Sequence, residues 1–197
     1  MRAPKLRELK EAITAVICGP YTAKFPAAPT PLPETFRGCP RFNKDKCVGC
    51  GACANVCPSG ALQMDDDVPA RLRRLTIHLD RCIFCGQCQA NCLTKEGVKQ
   101  TKEYDLATTD RASLRERVEK ALLLCEACGA TIGAEDHVRW VARQIGPVAF
   151  ANPTLLLTAM QDLSLADKAP KPSTDLRRGD RLRVLCPRCR QVTSLIA

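Results

Sequence analysis

A chain of 197 residues with a formal charge of +9 has room for one ordinary core or two small domains. Its 45% apolar content excludes wholesale disorder, and its 4% aromatics and 14 prolines predict short elements joined by many turns. The 14 cysteines fall mostly in CxxC spacings. With no recognisable signal peptide and no apolar run near the roughly 20 residues that span a bilayer, those spacings favour metal ligation over disulfides.

The first 40 residues predict a helix followed by an arm. Residues 1–18 form a short amphipathic helix that Gly19 and Pro20 end. This helix can pack on its own protein or dock on a partner or a membrane surface. Residues 20–40 contain six prolines, which exclude helix and central strand and predict an extended arm, either a linker or a segment lying along a neighbouring subunit. The apolar helix face comprises Leu6, Leu9, Ile13, Val16 and Ile17.

Residues 41–104 contain an internal repeat with a shift of 35 residues. The alternation around Leu75 and Ile77 predicts a strand between the two copies. The acidic run 65–67, together with Pro69, predicts the turn before that strand. The repeated positions are Cys47, Cys50, Cys53 and Cys57 in the first copy, and Cys82, Cys85, Cys88 and Cys92 in the second.

Each copy has the CxxCxxCxxxC spacing of bacterial ferredoxins. Three closely spaced cysteines can wrap three corners of a [4Fe–4S] cubane. The fourth cysteine lies on the following helix and, in a two-cluster protein, ligates the other cluster. We therefore predict two [4Fe–4S] clusters. Cluster 1 is assigned to Cys47, Cys50, Cys53 and Cys92, and cluster 2 to Cys82, Cys85, Cys88 and Cys57.

Other residues of the repeat are expected to shield and tune the clusters. Small residues let backbone N–H groups approach the sulfides, and such hydrogen bonds tune the potential. No Ser/His/Asp constellation, phosphate loop or dinucleotide fingerprint accompanies the cysteines, so we predict electron transfer without a catalytic site. Leu93 stands where the first copy has Pro58, which we expect to alter the local turn. The tuning residues are Gly49, Gly51 and Gly86, and the shielding residues, which could equally be plain core, are Val48, Ile83 and Phe84.

Residues 106–197 predict a small helical region. One helix is expected after a cap at Asp110 or Ser113, a second over 134–145, and a third from Asn152–Pro153. Residues 168–180 read as a polar linker. Residues 181–185 alternate like a strand.

Two CxxC knuckles, Cys125/Cys128 and Cys186/Cys189, complete the set of ligands. Four thiolates fit a structural zinc site. The 57 residues between the knuckles exceed the usual spacing, so a rubredoxin-like iron, a further cluster or no metal are the alternatives. With three sites of about −2 each, the charge of the loaded protein falls to roughly +3, which does not call for nucleic acid.

The remaining features receive ordinary interpretations. Cys18 and Cys39 are expected to be small buried hydrophobes. The arginines are expected to form a solvated face, with a docking patch for an acidic redox partner as the alternative; they are Arg71, Arg73, Arg74, Arg177, Arg178, Arg181 and Arg183.

The predicted class is α+β, with three segments. Residues 1–40 form the helix and arm, 41–105 the bacterial ferredoxin-like domain with two clusters, and 106–197 the helical region closed by the four-cysteine site.

Residues 20–105 resemble the two-[4Fe–4S] ferredoxin-like subunits of complex I and of membrane-bound group 4 [NiFe] hydrogenases. The resemblance rests on the Pro-rich arm ending in Phe36-Arg37-Gly38, and on the runs CVGCGACANVCPSGAL and DRCIFCGQCQANC. The C-terminal knuckles are more similar to the iron–sulfur subunit of formate hydrogenlyase.

The resemblance implies a peripheral subunit on the cytoplasmic side of the cell membrane. It would pass electrons from a formate dehydrogenase, a carbon monoxide dehydrogenase or a ferredoxin to the small and large subunits of a hydrogenase-like core. A free-standing ferredoxin or polyferredoxin is the alternative, although the N-terminal helix, the arm and the basic charge argue against it. A zinc-stabilised nucleic-acid binder is a more distant one, and salt-sensitive binding would reveal it.

Overall fold

The structure, a computed structural model, describes residues 5–19, 22, 25–166 and 182–195, in two units covering residues 1–36 and 37–197. In the first unit the predicted helix is confirmed as α1, Leu6–Cys18, which ends at Gly19 in a left-handed conformation. Its apolar face is exposed, and Cys18 is exposed too, so the expectation of a buried Cys18 was wrong. The described residues between 22 and 36 contain no helix or strand, as the prolines predict.

The strands and helices of the second unit are β1 Pro40–Phe42, α2 Ala52–Asn55, β2 Leu62–Asp67, β3 Leu72–His78, α3 Gln87–Ala90, β4 Val98–Gln100, β5 Arg115–Leu124, β6 Thr131–Ala134, α4 Glu135–Ile145, α5 Pro153–Asp162 and α6 Pro187–Leu195. Short 3-10 helices lie at Arg111–Leu114 and Gly146–Ala151. The strands form a four-stranded antiparallel sheet, in the order β2-β3-β5-β6, and a two-stranded ribbon, β1-β4. The α+β class is therefore confirmed.

The main core lies between the inner face of the large sheet and the two cysteine motifs. Leu75, Ile77 and Val118 on that face are at most 2% exposed. They pack in one cluster with Cys39, whose predicted burial is confirmed, and with most of the motif cysteines. Because side chains alternate along a strand, every second residue of β3 and β5 faces the cysteines.

Gly38, the glycine of the Phe-Arg-Gly element, lies where two backbone segments approach each other next to the ribbon. The N–H of Gly38 donates to the carbonyl of Thr101 at 2.9 Å. A Cβ at position 38 would lie 2.8 Å from that carbonyl oxygen and would also run into the carbonyl of Glu103. Only glycine lets the two backbones approach this closely.

The expected helix after Asp110 is wrong. Asp110 caps a single 3-10 turn, and residues 115–124 then form strand β5, which pairs with β3 along its length. The apolar residues Leu114, Val118 and Leu122 are spaced by four, which suits both a helical face and a strand of period two. Pairing with β3 decides in favour of the strand. The large sheet contains strands from both sides of the expected domain boundary at 105/106, and that boundary remains a prediction.

The acidic run 65–67 lies in strand β2 and not in the turn, which comprises residues 68–71. Asp66 stands opposite Arg73 across the β2-β3 pair. Arg73 is 8% exposed, so assigning it to a solvated face was wrong.

The helices α4 and α5 confirm the two later predictions, and Asn152 caps α5 by accepting a hydrogen bond from the N–H of Thr154. Residues 182–186 are irregular, so the predicted strand there is wrong, although the carbonyl of Val184 accepts a hydrogen bond from the N–H of Glu126. The expected linker 168–180 and the residues Arg177, Arg178 and Arg181 lie outside the described residues.

Candidate metal centres

Two cavities contain the eight cysteines of the repeat. The first, with an empty volume of about 300 Å³, also has Phe42, Val48, Leu75, Leu93 and Val98 in its wall. The second, of about 340 Å³, has Pro40, Leu62, Ile77 and Ile83 in its wall. The cysteines divide as Cys47, Cys50, Cys53 and Cys92 around the first cavity, and Cys57, Cys82, Cys85 and Cys88 around the second.

This division places the fourth cysteine of each motif beside the other motif's three. Cys57 and Cys92 each follow a one-turn helix, α2 or α3, instead of lying on it as expected. The turn after each helix carries these two thiols across to the neighbouring cavity. The assignment of ligands itself remains a prediction.

The loops around the cavities require left-handed backbone at repeated positions. Gly51 and Gly86 both have φ +79° and begin α2 and α3. At the position equivalent to Gly49, with φ +71°, the second copy has Phe84, with φ +53°. Phe84 therefore adopts a left-handed backbone conformation that residues other than glycine rarely adopt.

Close packing around the first cavity leaves no room for a side chain at Gly97. A Cβ there would lie 3.2 Å from the Sγ of Cys92 and 3.1 Å from the Cα of Cys47. The donor set at each cavity consists of thiols alone, which suits iron–sulfur clusters. Because a cubane has a metal at each of four corners, its four thiolates stand farther apart than those around one ion. Each cavity thus has the four-thiol donor set that a [4Fe–4S] cluster uses.

Two hydroxyl groups that the sequence reasoning missed lie beside the crossing cysteines. Ser59 Oγ is 3.6 Å from Cys57 Sγ, and Thr94 Oγ1 is 3.5 Å from Cys92 Sγ. Burial raises the pKa of both thiols, but these hydroxyls and nearby backbone N–H groups outweigh it and lower the pKa of each. The signal was present, since positions 59 and 94 are equivalent in the repeat and both carry a hydroxyl.

The two sites differ in exposure. Three of the four thiols of the first cavity, Cys47, Cys53 and Cys92, are buried, whereas Cys88 is the one buried thiol of the second cavity. The wall of the second cavity also includes Ile83, which is 61% exposed. Ile83 therefore shields less than expected. Leu93 lines the first cavity, so the residue that replaces proline belongs to the wall of that cavity.

The four knuckle cysteines come together, although 57 residues separate the knuckles. Among the described residues, theirs are the only ligand atoms that lie close enough to share one ion, all within 4.8 Å. A metal–sulfur distance of about 2.3 Å in a tetrahedron places neighbouring sulfurs roughly 3.8 Å apart. The Sγ atoms of Cys128 and Cys186 are 3.7 Å apart. This set can therefore bind a single metal ion.

Backbone N–H groups favour the thiolate form of Cys125, whereas the other three thiols, with burial, raise the pKa of Cys189 to about 12. Burial alone raises the pKa of Cys125, but the N–H groups of Cys128, Cys186 and Ala127 bring it to about 7. Cys125 is 1% exposed. A thiolate is the form that binds a metal, so this environment favours ligation.

A buried threonine fixes the second knuckle to α5. Thr154 Oγ1 donates to the carbonyl of Leu185 at 3.1 Å and accepts from the N–H of Leu185 at 3.3 Å. The guanidinium of Arg190 also donates to Thr154 Oγ1, and to Asn152 Oδ1 at 2.6 Å. These bonds hold the backbone just before Cys186.

Comparison with known proteins first defines the class. Residues 46–95 match the 4Fe–4S dicluster domain family. The chain is 33% identical over 120 residues to NADH-quinone oxidoreductase subunit I 2 of Geobacter metallireducens, covering 56% of this chain and 90% of the relative. The chain therefore belongs to the family of the subunit I proteins of NADH-quinone oxidoreductases.

The chain is also similar to subunits of other oxidoreductases. Formate hydrogenlyase subunit 6 of Escherichia coli is 32% identical over 120 residues, which are 61% of this chain and 66% of that protein. NAD(P)H-quinone oxidoreductase subunit I of Gloeobacter violaceus is 33% identical over 100 residues, 48% of this chain and 47% of the relative. The chain thus spans less than two thirds of both. A solved structure of a membrane-bound sulfane sulfur reductase, an archaeal respiratory membrane complex, shares 25% identity over 58% of this chain and 61% of that chain, with a TM-score of 0.41.

None of the helices in the described part of the chain is long and apolar enough to cross a membrane.

Proposed function

We propose that this chain relays electrons through two [4Fe–4S] clusters as a subunit of a larger redox complex. The observation that carries the proposal is the division of eight cysteines between two adjacent cavities. The two sites are adjacent, since Cys53 of the first cavity and Cys88 of the second belong to one packed cluster of buried residues. A short fixed separation is what electron hopping between clusters requires.

Cluster 1 is assigned to the cysteines of the first cavity and cluster 2 to those of the second, with the ligands crossed at Cys57 and Cys92. When bound, the clusters supply one-electron chemistry. The chain's own residues hold them, exclude water from cluster 1 through apolar walls, and direct hydroxyl and N–H groups at the sulfurs. These hydrogen bonds stabilise negative charge on the thiolates.

At the knuckle site we propose one zinc ion with a structural role. All four ligands are thiolates and the tetrahedron is closed, as in structural zinc sites. Such an ion would join the end of β5 to the start of α6, two segments far apart in sequence. An iron ion of the rubredoxin type satisfies the same geometry and is distinguished by metal analysis.

The family relationship supports work inside a complex over free diffusion, because the relatives are named as subunits of formate hydrogenlyase and of quinone oxidoreductases. We propose that the chain is a peripheral subunit at the cytoplasmic side of the membrane. There it would connect a donor module, such as a formate or carbon monoxide dehydrogenase or a ferredoxin, to the small and large subunits of a [NiFe] hydrogenase-like or complex I-like core. We propose no nucleic acid among its partners.

Anaerobic purification with metal and sulfide analysis tests the cofactors. We expect about eight iron and eight sulfide, with EPR of two interacting reduced clusters, and one zinc per chain. Zinc in place of iron at the eight positions, without sulfide, would contradict the relay. Affinity isolation from native cells tests the setting: recovery with redox and membrane subunits supports a complex, whereas recovery as a monomer free of such subunits supports a free ferredoxin.

A further inference from the structure

The two cysteine loops are copies of one another, but the charges packed against them are not. Arg73 and Lys120 stand directly opposite each other across the β3-β5 pair. Like charges in this position are normally destabilising in a sheet. Arg73 lies two and four residues before Leu75 and Ile77, and Lys120 lies two residues after Val118. Residues at this spacing share one face of a strand, so both cations project from the inner face of the sheet, toward the first loop.

Both cations contact the loop of cluster 1 or its flank. Arg73 Nη1 donates to the carbonyl of Gly49 at 3.0 Å. Lys120 Nζ donates to the carbonyl of Lys44 at 2.8 Å. The Cβ and Cγ of Lys120 lie so close to Gly49 that an added Cβ there would be 3.1 Å from each. The pair therefore lies against the segment that presents Cys47 and Cys50.

Each cation has a carboxylate partner that is more exposed than itself. Asp66 bonds to Arg73 at 2.7 Å, with side-chain exposures of 25% and 10%. Asp136 bonds to Lys120 at 2.9 Å, with exposures of 41% and 13%. Water screens the more exposed charge more strongly. At the first cavity, the electrostatic effect of the two cations therefore exceeds that of their carboxylate partners.

The loop of cluster 2 lacks such a pair among the residues that the structure describes. Its cationic contacts are Arg37 Nη1 at the carbonyl of Cys85, 3.1 Å, and Lys95 Nζ at the carbonyl of Ala90, 3.4 Å. Both side chains are exposed. Solvent therefore weakens their effect on the second cluster.

We propose that the buried cation pair Arg73–Lys120 raises the reduction potential of cluster 1, and so sets how electrons divide between the two clusters. Reduction adds one negative charge to a cluster, and a nearby cation stabilises the reduced form more than the oxidised one. Burial of the cluster 1 thiolates acts in the opposite direction, because it disfavours added charge. The cation pair offsets that cost. The inference rests on the proposed ligation of cluster 1 by the Cys47 set.

The test is an EPR-monitored redox titration of the anaerobically purified full chain in three variants. Lys120→Met removes one cation and should lower the potential of cluster 1, shifting the reduced ratio of the clusters about tenfold, or 59 mV for one electron. Asp136→Asn removes the counter-charge that Lys120 shares with Arg139 and should move the potential the opposite way. Arg74→Met is the control, since Arg74 bonds to Asp67 and Glu119 on the outer face and should leave both potentials unchanged.

The signals are assigned with Cys85→Ser, which alters cluster 2 whether or not the fourth ligands are crossed, because Cys85 is one of the three closely spaced cysteines of the second motif. Shifts of the same sign in Lys120→Met and Asp136→Asn, or no shift with full iron content, overturn the inference while leaving the relay intact. If Lys120→Met fails to retain iron, the direction measured in Asp136→Asn decides. Absence of clusters from the parent protein instead contradicts the proposed function.

Discussion

The hydroxyl of Thr154 provides the sharpest test of how the second knuckle is supported. Thr154 is 5% exposed, and its Oγ1 is the acceptor for the buried N–H of Leu185. Thr154→Val keeps the shape of the side chain but leaves that N–H without this acceptor. The guanidinium of Arg190 also loses its bond to Oγ1, but it retains its bonds to Asn152 Oδ1 and to the carbonyl of Leu185, the latter at 3.4 Å. The loss therefore falls mainly on the N–H.

A buried donor left without an acceptor costs about 1–3 kcal/mol. A cost of about 2 kcal/mol corresponds to a change of roughly 30-fold in an opening equilibrium. We therefore expect zinc to leave Thr154→Val for a chromogenic chelator roughly 30-fold faster than it leaves the parent protein. Hydrogen exchange of residues 182–195 should accelerate by a similar factor.

Thr158→Val is the matched control, because Thr158 lies one turn later in α5 and is 3% exposed. Its hydroxyl donates only within the helix, to the carbonyl of Thr154 at 2.8 Å. That carbonyl already belongs to the helical hydrogen-bond ladder, so its removal should be close to neutral. Equal metal-release rates in the two variants would refute the support that we assign to Thr154.

Three further predictions follow from the site and the fold. Cys57→Ser should perturb cluster 2 although Cys57 lies in the first motif, and EPR changes confined to cluster 1 would refute the crossed ligands. Gly38→Ala should destabilise the ribbon by several kcal/mol, because its Cβ would meet two backbone carbonyls; thermal unfolding compared with Gly133→Ala, whose Cβ has ordinary contacts, measures this. Burial and the charge of Arg73 lower the pKa of His137, so the unfolded chain binds the proton more readily and stability should fall as pH drops through about 6.5. The thermal midpoint of His137→Gln should lose that pH dependence between pH 8 and 6.

The difference in exposure bears on which cavity a redox partner reaches first. Residues of the large sheet line both cavities, but the wall of the second also includes Ile83, which is 61% exposed. A partner that covers Ile83 would therefore approach the second cavity first.

Local spacing carried the prediction of the cysteine motifs, of α1 and of the helices α4 and α5. In each case a short stretch holds the whole signal: a fixed loop length between ligands, an apolar face of period 3.6, or the Asn152–Pro153 start of a helix. The expectation of two paired knuckles also came from spacing, although their distance in sequence counted against it. The structure brings their sulfurs together, and Thr154 holds the backbone of Leu185 just before the second knuckle.

The identity of β5 and the burial of Arg73 depend on pairing between distant segments. Apolar residues spaced by four suit a helix or a strand equally, and only the partner strand β3, about 40 residues earlier in the chain, settles which forms. Because Arg73 lies beside other arginines, its local sequence predicts a solvated position. Only the pairing of its strand places it opposite Asp66 and in contact with the carbonyl of Gly49. The sequence by itself therefore determined the candidate ligands and the chemistry that their spacing predicts, because ligand spacing is local. The tertiary structure alone decided which charges and walls surround each cluster, because those contacts join segments that no local pattern relates.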